Sequence, residues 1–275
     1  APRYIRQVSD DVVGTHRMLR AHARTALGRE VGPQTLADLR MLYQAAVTQV
    51  DASIGRLLET LSATGHDDDT AVIVAGDHGE EFQEHGHLAH YPKLYDELIT
   101  VPLIVDLPGS DARRIDQPVG LDALPPTITD CFGVDAPDVW TGESLLPTVR
   151  AGALPDDTPV VSVAVRGAEV TTQPIPRSLA DGDLLVSVRD ERWLYIKNTE
   201  TGVVELYDRQ QDPRQQENLV AQPTELPVDA QQPHERFGEL AAEHAAMLSA
   251  AADDNSTDDA VDEELETRLA ALGYK

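Results

Sequence analysis

From Pro33 onward, apolar residues recur at steps of three and four: Leu36, Leu39, Tyr43, Val47, Val50, Ile54, Leu57, Leu58 and Leu61. That spacing puts them on one stripe of a helix and predicts a single long amphipathic helix from about Pro33 to Thr64. Pro33 and Thr35 are its start signals and Gly65 its stop. Asp51 and Gly55 interrupt the apolar face and read as a partner-bonded acid and a close-packed glycine. After a polar turn at 66–70, Ala71-Val72-Ile73-Val74-Ala75-Gly76 is a short unbroken apolar run, the pattern of a strand covered on both faces. Val101-Pro102-Leu103-Ile104-Val105 is a second such run, and 122–132 is a further helical stretch. Helix and buried strand in alternation predict an α/β sheet flanked by helices, with chemistry at the carboxyl ends of the strands.

Past Gly152 the texture changes. Val160–Val165, Leu184–Arg189, Trp193–Lys197 and Val203–Tyr207 read as short strands, with a turn at Thr201-Gly202, and predict a small antiparallel sheet. A helical stretch over 235–251 follows, then an acidic, Ala-rich linker at 252–264 whose composition predicts mobility, then a terminal helical piece ending at Tyr274. The expected organisation is therefore an α/β part over 1–152, a small α+β subdomain over 153–251, and linker plus terminal helix over 252–275.

Charge narrows the function. The chain of 275 residues carries 48 Asp and Glu against 22 Lys and Arg, a net charge of −26. Nucleic-acid binding needs cations clustered on a face, so it is excluded as an expectation, and anionic membrane surfaces are disfavoured for the same reason. Only Lys93, Lys197 and Lys275 are lysines; the other bases are arginines. An acidic, lysine-poor surface is that of a halophile, tolerable where salt screens self-repulsion, and an archaeal source is expected; an ordinary acidic mesophile is the alternative. The single cysteine, Cys131, precludes an internal disulfide. No run reaches the roughly 18 apolar residues of a membrane span, and no secretory signal is visible, so the expected location is cytoplasmic.

The richest stretch is Gly76-Asp77-His78-Gly79-Glu80-Glu81, directly after the first apolar run and followed by His85, His87, His90 and Lys93. Four of the nine histidines fall between positions 78 and 90. Asp77 and His78 can reach one divalent cation if the backbone turns sharply, and Gly76 and Gly79 are read as permitting that turn. A hard carboxylate beside an imidazole suits Ca, Mg, Mn or Zn. The same residues also fit an acidic, histidine-bearing surface loop without a metal.

Asp77-His78-Gly79-Glu80, followed by Leu94-Tyr95-Asp96-Glu97 and Val101-Pro102-Leu103-Ile104, resembles the sulfatase family of the alkaline phosphatase superfamily. Further similarities run in the family's order: Tyr43 to Gly55, Leu121 to Ile128, Thr141 to Pro147, Glu205-Leu206-Tyr207-Asp208 with Asp212-Pro213 and Glu217-Asn218-Leu219, and Leu269 to Tyr274. The resemblance implies an alkaline-phosphatase-like sheet and a metal-dependent hydrolase of small-molecule sulfate esters. It implies that Asp77 and His78 are metal ligands, with Ca the family's usual metal and Mg or Mn possible. Lys93 resembles the lysine that contacts the sulfate, and His87 or His90 could take that role or protonate the leaving oxygen. Histidine at position 78 also occurs in members acting on phosphate and phosphonate esters, so that reaction is the alternative.

The family's formylglycine arises from Cys or Ser in a Cys/Ser-x-Pro/Ala-x-Arg motif, which this sequence lacks. Cys131 has no Pro or Arg at the required offsets and reads as a buried core residue of a helix. The expectation is a C-terminal portion of a sulfatase, inactive alone, whose bare surfaces favour self-association; a non-catalytic binding or structural remnant is the further alternative.

Overall fold

The computed structural model describes residues 31–151, 158–167, 182–221 and 225–255. The long helix is present as predicted: α1 spans Pro33–Thr64, with Pro33 in its first turn. Gly65 caps it at φ 75°; its N–H donates to the Ser62 carbonyl (3.1 Å) and that of His66 to Leu61 (2.9 Å), the paired bonds of a left-handed helix end. Leu36 and Leu39 pack onto Val31 and Leu88, which anchors the first turns. Farther along, Val47, Val50 and Leu57 are more than half exposed, so the apolar stripe continues beyond its support. There Asp51 is exposed and Gly55 has nothing within 4 Å of a hypothetical Cβ, which corrects the reading of a close-packed glycine.

The two apolar runs become β1 (Val72–Ala75) and, after β2 (Glu81–Phe82), β3 (Leu88–Ala89) and α2 (Asp96–Ile99), β4 (Leu103–Asp106). β1 and β4 pair antiparallel, Val72 opposite Asp106 and Ala75 opposite Leu103. Neither is covered on both faces as the unbroken runs suggested, since Ala75 is exposed and Ile104 is 60% exposed. β4 starts later than its run because Pro102 has no N–H for a ladder; its carbonyl accepts from Gly76 instead (3.0 Å). A 3₁₀ turn at Leu121–Ala123 leads into α3 (Leu124–Cys131), and α4 follows at Leu146–Ala151. Cys131 is exposed, not part of the core: the helix ends at it, and no following turn covers it.

The C-terminal sheet is the predicted antiparallel meander: β5 (Val160–Gly167), β6 (Gly182–Arg189), β7 (Trp193–Asn198) and β8 (Val204–Asp208), in that order. Alternate residues feed two cores. Val186, Val188, Trp193, Tyr195 and Leu206 pack with Ala230, Phe237 and Ala241 of α5 (Val228–Asn255). On the opposite face Leu185, Leu194, Ile196 and Tyr207 enclose Leu94, with Tyr95 and Ile99 beside it. This second face fixes the stretch leading into α2, and through it the histidine-rich loop. α5 extends through Asn255, into what composition predicted as linker; the rest of that linker and the terminal helical piece lie outside the described residues. Among the described residues, no helix is long and apolar enough to cross a membrane.

Candidate active site

The loop after β1 is held close to α2. Gly79 donates its N–H to the Leu98 carbonyl (2.8 Å), and a Cβ on Gly79 would sit 1.9 Å from the Glu97 carbonyl oxygen. Neither Gly76 nor Gly79 has a positive φ, so the sharp turn expected from sequence is not what calls for glycine; at Gly79 it is close approach. The effect is to set Asp77 and His78 at the carboxyl end of β1, facing solvent.

Their geometry suits a cation. The Asp77 carboxylate accepts the His78 N–H (2.9 Å), and this with its own backbone N–H and the neighbouring imidazole holds its pKa below the usual carboxylate range. His78 Nδ1 lies 2.9 Å from the Gly79 carbonyl, which can only accept, so Nδ1 carries a proton and Nε2 is the nitrogen turned toward Asp77. That Nε2 is 3.7 Å from Asp77 Oδ2. One anionic oxygen and one imidazole nitrogen thus converge on the same point, a fitting pair of donors for a divalent ion. Among the described residues no cluster of three or more His, Cys, Asp or Glu side chains could hold a metal.

His90 joins this pair. Its ring lies 4.3 Å from that of His78, tilted by 34°, and its Nδ1 is 3.2 Å from Glu80 Oε2. Asp77, His78, His90 and Lys93 all border one open cleft of about 1490 Å³, with Arg189 farther along its wall. His87 does not border it; its ring packs near Tyr91, 5.0 Å between centroids.

Lys93 is placed differently from a free anion contact. It is 7% exposed, and its Nζ donates to Glu81 Oε2 (2.9 Å) and to the His85 carbonyl (2.7 Å). Glu81 is fully buried, and its other oxygen accepts the N–H groups of His85 (3.0 Å) and His87 (2.7 Å). Burial alone would raise the Glu81 carboxyl, but these bonds outweigh it and hold the group ionised below its ordinary range. The rarity of lysine in this chain called for a reason at position 93, and Glu81 is that reason.

Sequence reasoning missed a second buried group. His85 places Nδ1 2.6 Å from Glu97 Oε1 and Nε2 2.9 Å from the Gln215 carbonyl, with its ring stacked on Tyr95 at 3.6 Å. Burial pushes its pKa down, but the carboxylate and carbonyl prevail and raise it. The Gln216 side-chain nitrogen is also near, at 3.3 Å from Nε2. The only sequence signal was four histidines in thirteen residues, which does not say which one faces inward.

A family model described as Sulfatase matches residues 12–134, which include this whole loop. Over this region the chain is similar to the sulfatases. A Δ4,5-hexuronate-2-O-sulfatase of Bacteroides thetaiotaomicron is 29% identical over 213 residues, covering 75% of this chain and 39% of that protein. A protein solved in complex with its substrate, D-glucosamine-2-N,6-O-disulfate, shares the fold at a TM-score of 0.59 and 23% identity, over 86% of this chain and 47% of the other. The phosphonate monoester hydrolase of Silicibacter pomeroyi also shares the fold, with TM-score 0.63 and 24% identity, over 79% and 43%. The chain therefore spans less than half the length of each of these proteins, and it shares an α/β fold with the two solved structures.

Proposed function

We propose that this chain carries the metal-loop half of a sulfate-ester hydrolase. The observation that supports this most is the convergence of the Asp77 carboxylate and the His78 Nε2 atom, 3.7 Å apart, at the carboxyl end of a strand in a sulfatase-like sheet. In this reading Asp77 and His78 supply two ligands to a divalent cation, Ca before Mg or Mn. Such an ion would neutralise charge on the nucleophile and on the sulfuryl oxygens. His90, with Nδ1 directed at Glu80, turns its Nε2 toward the transferred group to bind it or to protonate the leaving oxygen. Lys93 is an anchor rather than a substrate contact, because its ammonium is already engaged by Glu81 and a carbonyl. The nucleophile and the remaining ligands come from residues other than those described, so the chain is expected not to turn over substrate alone.

Calorimetric titration of the 275-residue chain with Ca²⁺, Mg²⁺ and Mn²⁺ tests the metal reading. Weak binding that is lost in Asp77→Asn and in His78→Ala is expected; equal binding in the variants would overturn it. A phosphate or phosphonate ester hydrolase is the second reading, favoured by the Asp-His pair and the likeness to a phosphonate monoester hydrolase. With the metal present, sulfate should shift the His90 ring resonances at lower concentration than methylphosphonate does, and the opposite order would favour the second reading.

A further inference from the structure

Both ends of the short segment that carries His90 are fastened to one buried residue. Ala89, just before His90, is the register partner of Glu81 in the β2–β3 pair. Lys93, three residues after His90, donates to the Glu81 carboxylate. Glu81 also holds the intervening turn through the amides of His85 and His87, and Lys93 closes the ring through the His85 carbonyl. Ala89 sits at φ 67°, a conformation an alanine adopts only when its surroundings impose it. That backbone reversal turns the following residue back over His78.

We propose that Glu81 and Lys93 are positioning residues that set the His90 imidazole against His78, and so determine where the cleft presents its anion-facing group. This rests on the reading of His90 given above. A buried ion pair is weak support for stability, since burial of two charges offsets most of their attraction. Its value lies in geometry: one carboxylate collects two amides and one ammonium, and each tie is made to a different point of the same loop. A free Lys93 in the cleft would leave Glu81 buried and unpaired, so the ammonium stays where it is and His90 occupies the mouth.

The test reads the arrangement directly. In the folded wild-type chain, a nuclear Overhauser contact between the ring protons of His78 and His90 is expected from their 4.3 Å centroid separation. The double variant Glu81→Gln/Lys93→Met keeps a neutral oxygen for the two amides and removes the tie to residue 93. At least half of the cross-peak should disappear while the β6–β7 backbone contacts persist. Lys93→Arg, which keeps the charge, should retain the cross-peak. If the double variant does not fold, Glu81→Gln alone, which keeps an oxygen for the two amides and leaves Lys93 free to reach the cleft, removes the same tie and should weaken the same contact. A full-strength His78–His90 contact in the folded double variant, or in Glu81→Gln where the double variant does not fold, would overturn the proposal. Because no turnover is read, the outcomes separate. Loss of the contact in the variants with no metal or sulfate response in wild type would leave the positioning role and remove the reading of the site. The reverse pattern would keep the site and discard the positioning role.

Discussion

His85 offers a quantitative test of how the histidine-rich loop is joined to the C-terminal subdomain. Both of its ring nitrogens face acceptors, Glu97 at 2.6 Å and the Gln215 carbonyl at 2.9 Å, and one N–H cannot serve both. The imidazolium is therefore the favoured form, and its pKa lies above the ordinary 6.5. A group whose pKa is raised by folding stabilises the fold fully below its unfolded value, and that contribution is lost as pH climbs through the raised folded value. Stability owed to His85 should thus be complete below about pH 6.5 and decline above it. Glu97→Gln removes the charge partner from a pair whose side chains are only 11% and 16% exposed, where a charge-assisted bond contributes about 1.5–3 kcal/mol. At pH 6 the variant should lose about 2 kcal/mol, roughly 4–8 °C in melting temperature for a chain of this size. Urea titrations followed by circular dichroism, at pH 6 and pH 9 in constant 1 M KCl, should show a gap between wild type and variant that narrows at the higher pH. Screening over about 3 Å at that salt leaves a buried pair in direct contact largely intact. Parallel pH curves for the two proteins would refute the cationic clamp.

Three further predictions use the same physical reasoning. Gly79→Ala pushes a Cβ to 1.9 Å from a backbone oxygen and should cost about 2–4 kcal/mol by overpacking and loss of the Leu98 bond, whereas Gly55→Ala, in open space on an exposed helix, should gain up to about 1 kcal/mol; paired thermal melts check the opposite signs. Exposed Cys131 should react with a thiol reagent in the folded chain without denaturant, and reaction only after adding denaturant would contradict its placement. The bare stripe at Val47, Val50 and Leu57 should drive self-association in molar salt, read by sedimentation velocity; Val50→Asp should shift the chain toward monomer, and a wild-type monomer at all salt concentrations would rule this out.

The elements that were legible in the sequence are those whose signal is local. The three- and four-residue spacing of α1, its Gly65 stop and the short strand runs of β6 and β7 arise within a few turns of chain, and the structure has them almost residue for residue. Covering of an element is not local. An unbroken run such as Val72 to Ala75 reads the same whether one face or two are packed, and here only partial burial results. Cys131 fell on a plausible helical face, yet exposure at a helix end is decided by where the following residues go.

At the site the same division holds. The placement of Asp77 and His78 side by side at a strand end was legible because adjacent residues share that end whatever the rest of the chain does. Lys93 and Glu81 were not, because their partnership crosses twelve positions and depends on a two-residue strand pair that no propensity reveals. Sequence identified Lys93 as chemically out of place but assigned it to a ligand, the partner that motif order suggested. In the structure its side chain is 6% exposed and its ammonium is engaged by a carboxylate with no exposure; leaving either charge alone in the interior would cost several kcal/mol. In the reading proposed above, the imidazole at the mouth of the cleft is the one this pair holds in place, so the chemistry of the loop would belong to His78 and His90 and its architecture to Glu81 and Lys93.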